Sequence, residues 1–143
     1  SPLSLEQVQG VVGDRRQGDF FAFQHYIGEG DVAAALQMLD KLLTEGEEGP
    51  RLISSIFYYF KVLLQVKELD ERGEATQDNL TKITRTTYGR ANERFLKASR
   101  RFSREELFMA FPGLLHADVE MKTGGPRADE ALPALVAGLC ERV

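Results

Sequence analysis

The chain has no tryptophan, one cysteine and five prolines in 143 residues. A single thiol, Cys140, cannot close an intrachain disulfide, which excludes the small disulfide-stapled folds and makes a reducing, cytosolic setting the expectation. No signal peptide or anchor is recognisable. The first residues, Ser-Pro-Leu-Ser, carry no initiator Met, so a fragment or a trimmed product is expected. The apolar runs stop short of the ~20 residues of a membrane span. Strict period-two alternation and Asn-Gly hairpin turns are missing too, which argues against a sheet. Histidine is scarce: His25 and His116 are far apart, and neither has a second ligand at zinc-helix spacing. Gly28-Glu29-Gly30 and Gly124-Gly125 do not lead into Gly-Lys-Ser/Thr, so no phosphate loop is present. No catalytic, cofactor or metal site is expected. Cys140 reads as a buried, inert thiol and His25 as a packed side chain.

What is present is a soluble composition, 43% hydrophobic and 28% charged with net charge -4, organised around Arg51–Leu69. In this stretch Leu52, Ile53, Ile56, Phe57, Tyr59, Phe60, Val62, Leu63, Leu64, Val66 and Leu69 cover most of a helical wheel. One polar stripe interrupts them: Ser54, Tyr58, Lys61, Gln65 and Glu68, at steps of four, three, four and three. That stepping follows one line along a helix of period 3.6. A helix wet along a single line has to be wrapped by others, so it is expected at the centre of a bundle, with Phe57, Phe60 and Leu64 buried.

Other helices are read around it. Ser4 with Gln7 has capping-box spacing and opens a short helix ending at Gly13-Asp14, followed by a polar linker at Arg15–Gly18. Asp19 is the expected cap of Phe20–Ile27, and Asp31 the cap of the next helix. Gly46–Gly49 turns into the central helix, with Pro50 at its start. A short helix follows over Thr76–Thr84, then one over about Tyr88–Arg101. Ser103 with Glu106 caps a helix that Pro112 is expected to kink or split near Phe111. The last helix carries Leu132 to Cys140, with Pro133 expected in its first turn. The fold class is all-α, about seven helices around Arg51–Leu69.

One charged feature stands out in this acidic chain. Lys82, Arg85, Arg90, Arg94, Lys97, Arg100, Arg101 and Arg104 lie within one stretch in which Glu93 is the only acid. Arg90, Arg94, Lys97, Arg101 and Arg104 step along one expected ridge, exposed above Phe95 and Phe102. Such a ridge suits a solvated face, an acidic protein partner or nucleic-acid phosphate.

Several motifs together resemble a known family. Gly46-Glu47-Glu48-Gly49-Pro50 leads into a helix ending Leu63-Leu64-Gln65-Val66-Lys67-Glu68-Leu69. Arg101-Phe102-Ser103 and Asp118-Val119-Glu120-Met121-Lys122-Thr123-Gly124 follow at matching distances. This order is similar to the C-terminal part of the delta subunit of the bacterial DNA polymerase III clamp loader, while Thr76–Tyr88 departs from that pattern. The resemblance implies a bacterial cytoplasmic replisome component without enzymatic chemistry of its own, part of the DNA polymerase III holoenzyme. Residues 1–14 would be the end of a preceding lid domain, and 18–143 an all-helical collar that joins the other clamp-loader subunits. The sliding clamp and DNA would be met through AAA+-type domains upstream. Gln65, Lys67, Asp118 and Lys122 would be structural motif residues, with Asp118 or Lys122 bonding to a neighbouring helix or loop. The alternative is a helical nucleic-acid-binding domain that uses Lys82–Arg104.

Overall fold

The computed structural model describes residues 5–142, with side chains from residue 15 onward. The described residues form seven helices and no strand: α1 (Leu5–Glu29), α2 (Val32–Thr44), α3 (Gly49–Glu71), α4 (Gln77–Thr84), α5 (Gly89–Arg100), α6 (Arg104–Lys122) and α7 (Ala128–Cys140). The all-α fold around a central helix is as expected. Helix α3 packs against α1, α4, α5, α6 and α7. Its residues Leu52, Ile56, Leu63 and Val66 are fully buried, and Tyr59 and Phe60 nearly so. Phe60 meets Phe102 edge-on at 5.6 Å between ring centroids, the arrangement an aromatic quadrupole favours.

The caps show why these segments start where they do. Asp31 accepts from the Ala34 amide at 3.1 Å and Thr76 from the Asn79 amide at 3.2 Å. Ser103 and Glu106 form a complete capping box at the head of α6. Each satisfies an amide that the first helical turn leaves without a partner. Glycine matters most at the end of α1. Gly30 turns the chain with φ +77°, and a Cβ on Gly28 would sit 2.0 Å from the Tyr59 hydroxyl. The close approach of α1 to α3 therefore needs a residue without a side chain there.

Five expectations fail against this structure. Helix α1 runs unbroken through Arg15–Gly18, so there is no linker there and Asp19 is not a cap. Arg and Gln are good helix formers, a Gly18 with open space around it costs only about 1 kcal/mol, and Asp19 instead holds Lys41 at 3.0 Å. The Ser4–Gln7 capping box falls outside the described side chains. Of the kink or split expected at Pro112, the split does not occur, and helix α6 runs on through it. The Phe108 carbonyl that loses its donor lies on an exposed face, where water can satisfy it. Pro133 sits in the second turn of α7, not the first. The carbonyl it leaves free belongs to Asp129, exposed near the start of that helix. Phe57 is 41% exposed and Leu64 half-buried rather than enclosed. Finally, Asp118 and Lys122 bond each other at 2.9 Å rather than a neighbouring helix.

Burial separates two aromatics three residues apart. Phe60→Ala is expected to cost about 3–5 kcal/mol in chemical denaturation, and Phe57→Ala markedly less.

Candidate subunit interface

The polar stripe of α3 is exposed along its whole length: Ser54, Tyr58, Lys61, Gln65 and Glu68 all face solvent. Phe57 joins them, its ring 4.8 Å from that of Phe111 on α6. Helix α6 contributes an outward row in which Phe108 is 56%, Leu115 61% and Val119 50% exposed. Two shallow depressions open along the seam between these helices, which together form the α3–α6 groove. At one end Ser54, Phe57, Tyr58 and Lys61 face Leu115 and Asp118. At the other, Gln65 and Glu68 face Arg104 and Phe108. Helices α3 and α6 are therefore antiparallel, and the groove runs along both. Beyond Tyr58 it continues toward Arg16, Phe20 and Arg51. Exposed apolar side chains gathered along one helix–helix seam make it the candidate contact site of the domain.

The ions bordering the groove are mostly paired within the chain. Asp118 holds Lys122, Glu68 holds Arg72 at 2.7 Å, and Arg104 holds Glu71 at 2.8 Å. Lys61 has no ion-pair partner among the described residues. The motif residues Gln65 and Asp118 thus border the groove, whereas Lys67 is half-buried and reaches the Ser99 carbonyl at 3.4 Å.

The basic ridge is divided by its own pairing. Arg94 makes a two-nitrogen contact with Glu29, and Arg100 a fork with Asp70, both bonds 2.9 Å. That hydrogen bond from Arg100 is the main reason the Asp70 carboxyl is held below its usual pKa. Arg101 is not an exposed contact residue, contrary to expectation. It is half-buried and donates to the carbonyls of Gly28 at 2.7 Å and Cys140 at 3.3 Å, tying α1 to the end of α7. Its position just past α5 turns it inward beside Phe102. Phe95 is half-buried and Phe102 buried beneath the ridge, close to the expected arrangement. Arg90 and Lys97 remain exposed.

Beneath Arg94 and Glu29 lies His25, packed edge-on against Tyr59 and Phe95. Burial, seconded by the charge on Arg94, lowers its pKa to about 4. Burial also raises the Cys140 thiol to about 11. Both groups are neutral near pH 7 and enclosed, poor starting points for chemistry. Among the described residues no three His, Cys, Asp or Glu side chains gather as metal ligands. No described helix is long and apolar enough to cross a membrane.

The family described as DNA polymerase III delta subunit, C-terminal domain, matches residues 17–138. The chain belongs to this family. The delta protein of the Bacillus subtilis DNA clamp loader has a similar structure, with a TM-score of 0.70 and 26% identity. That likeness covers 86% of this chain and 36% of the other, so the present chain spans about a third of that protein. No curated protein sequence matches the chain. Sequence reasoning found the stripe on α3 but missed the contribution of α6. The signal was there: Phe108, Leu115 and Val119 lie off the face defined by Leu107, Leu114 and Ala117 and exceed what one buried face can hold.

Two outcomes check these assignments. Arg101→Ala strands two backbone carbonyls and is expected to destabilise by about 1–3 kcal/mol in urea unfolding, while Arg90→Ala stays within about 0.5 kcal/mol. His25 binds its proton less readily when folded, so the unfolded chain takes up more protons between pH 6.5 and about 4. The stability this provides is complete above pH 6.5 and declines as the pH falls toward 4. In thermal melts, His25→Phe is expected to show a shallower fall in Tm over that window than the parent.

Proposed function

We propose that this domain acts as a collar: it holds the delta subunit in the clamp-loader ring so that the assembled loader can open the sliding clamp and place it on primed DNA. The observation that carries the reading is the exposed apolar groove between α3 and α6 on a domain of the delta family. The family match over residues 17–138 supports assigning 18–143 to the collar; residues 1–14 are read as the end of a lid domain, joined to the collar through the continuous helix α1. In this reading the sliding clamp and DNA are met through upstream domains, and the setting is the bacterial cytoplasm. Arg90 and Lys97 supply secondary polar contacts to a partner subunit. Arg101 chiefly ties the domain together, while Arg94 and Arg104 are occupied by Glu29 and Glu71.

A second reading, contact with nucleic acid, has one observation in its favour. Lys82, Arg85 and Arg90 flank Tyr88, which is 77% exposed, around the turn between α4 and α5. Cations beside an exposed aromatic ring can meet phosphates and a stacked base.

Mixing the chain with its cognate clamp-loader subunits and following co-elution separates the two. The collar reading expects a stable complex, with DNA bound only in the nonspecific range of ~10⁻⁴–10⁻⁶ M. Tight, salt-sensitive DNA binding lost in Arg85→Glu and Arg90→Glu, with no association with any loader subunit, replaces it with the nucleic-acid reading.

A further inference from the structure

We infer that the α3–α6 groove receives one amphipathic helix of another clamp-loader subunit, and that this helix sets a carboxylate against Lys61. The inference rests on the assembly role proposed above and names the chemistry of the partner. The groove runs from Ser54 to Glu68 on α3, roughly 21 Å at 1.5 Å per residue, or about four turns of an accompanying helix. Its walls are the side chains of two helices whose backbone groups are already bonded internally. It therefore offers no sheet edge to an extended peptide, and an occupant has to satisfy its own backbone, as a helix does. Phe57, Tyr58, Leu115 and Phe108 recur along the walls and ask for apolar residues at i, i+3 or i+4, and i+7 on that helix.

Charge decides between a second copy of the chain and a different subunit. Asp118, Glu68 and Arg104 are paired with Lys122, Arg72 and Glu71, whereas Lys61, in the same depression as Asp118, has no ion-pair partner among the described residues. Lys61 lies midway between Ser54 and Glu68. Two copies meeting groove on groove about a two-fold axis would bring Lys61 toward its own symmetry mate, a repulsive contact at the centre of an apolar interface. A different helix with Asp or Glu at that level converts the same position into a partly desolvated ion pair, which fixes register and excludes wrong partners.

The test places a photo-crosslinking amino acid at Leu115, and at Tyr88 as a control, in the chain mixed with its cognate clamp-loader subunits. Crosslinks from position 115 are expected to map to one helix of another subunit that has an apolar face and an acidic residue at the level of Lys61. Leu115→Asp is expected to weaken association at least tenfold. Lys61→Glu is expected to weaken it about tenfold, restored by changing the partner's acid to Lys. Both side chains are exposed, and unchanged thermal melts confirm that the variants fold. Crosslinks to a second copy, to the chain itself or to an extended segment overturn the inference. So does assembly that is undiminished in Leu115→Asp. A wild-type chain that joins no loader subunit overturns the collar reading itself, whereas wild-type assembly with an indifferent groove removes only the helix-docking inference.

Discussion

The enclosure of α3 is the constraint on which the rest of the domain depends. Five helices pack against it and leave open only the face that carries Ser54, Phe57, Tyr58, Lys61, Gln65 and Glu68. The side chains that seal it, among them Phe23, Phe60, Phe102, Leu107 and Leu114, belong to one continuous core. A smaller cluster of Val62, Val66 and Leu80 extends that core under the short helix α4. Because α3 is covered on every side but one, its remaining line is the place where an outside element can reach the centre of the fold. The position of the candidate interface thus follows from the packing of the core.

Much of this was legible in the sequence because it depended on local chemistry or on period. The stripe on α3 was found from its spacing alone, and the caps at Asp31 and Ser103 from the residue types that accept a free amide. The failures share a cause: each depended on what lay opposite. Phe57 and Phe60 are the same residue on nearly the same side of a helix. Phe60 meets Phe102 in the core, whereas Phe57 reaches only the rim of α6. Gly13-Asp14 and Gly18 looked like punctuation, yet α1 continues through them, and Asp19 and Arg16 bond to the second helix and to the turn after it. The two prolines were read by the rule for helix interiors. In each case the carbonyl left without a donor belongs to an exposed residue, where water can replace the missing hydrogen bond.

The basic stretch shows how a linear pattern can mislead about charge. Along the sequence, eight cations stand with one acid between Lys82 and Arg104. In the fold, α1 brings Glu29 to Arg94, and the end of α3 brings Asp70 and Glu71 to Arg100 and Arg104. Those acids are 30 or more positions away in sequence, beyond the reach of any local reading. Exposed pairs of this sort contribute little to stability. Their larger effect is to lower the field that the ridge would otherwise project, which weakens the case for a nucleic-acid surface there.

Neutralising the ridge also bears on which part of the domain governs recognition. An exposed Arg already held by a carboxylate must exchange that partner before it can serve another molecule, so the net gain from a new contact is small. Apolar side chains in the groove face no such exchange: burying Phe108, Leu115 or Phe57 releases water and disrupts no bond within the domain. The hydrophobic groove therefore has the greater capacity to drive association, and the charges around it the greater capacity to select. Lys61 combines the two conditions, lining the groove and having no ion-pair partner among the described residues. A single charge so placed discriminates between occupants of similar apolar character, a requirement for any domain that must choose one neighbour from a set of similar helical subunits.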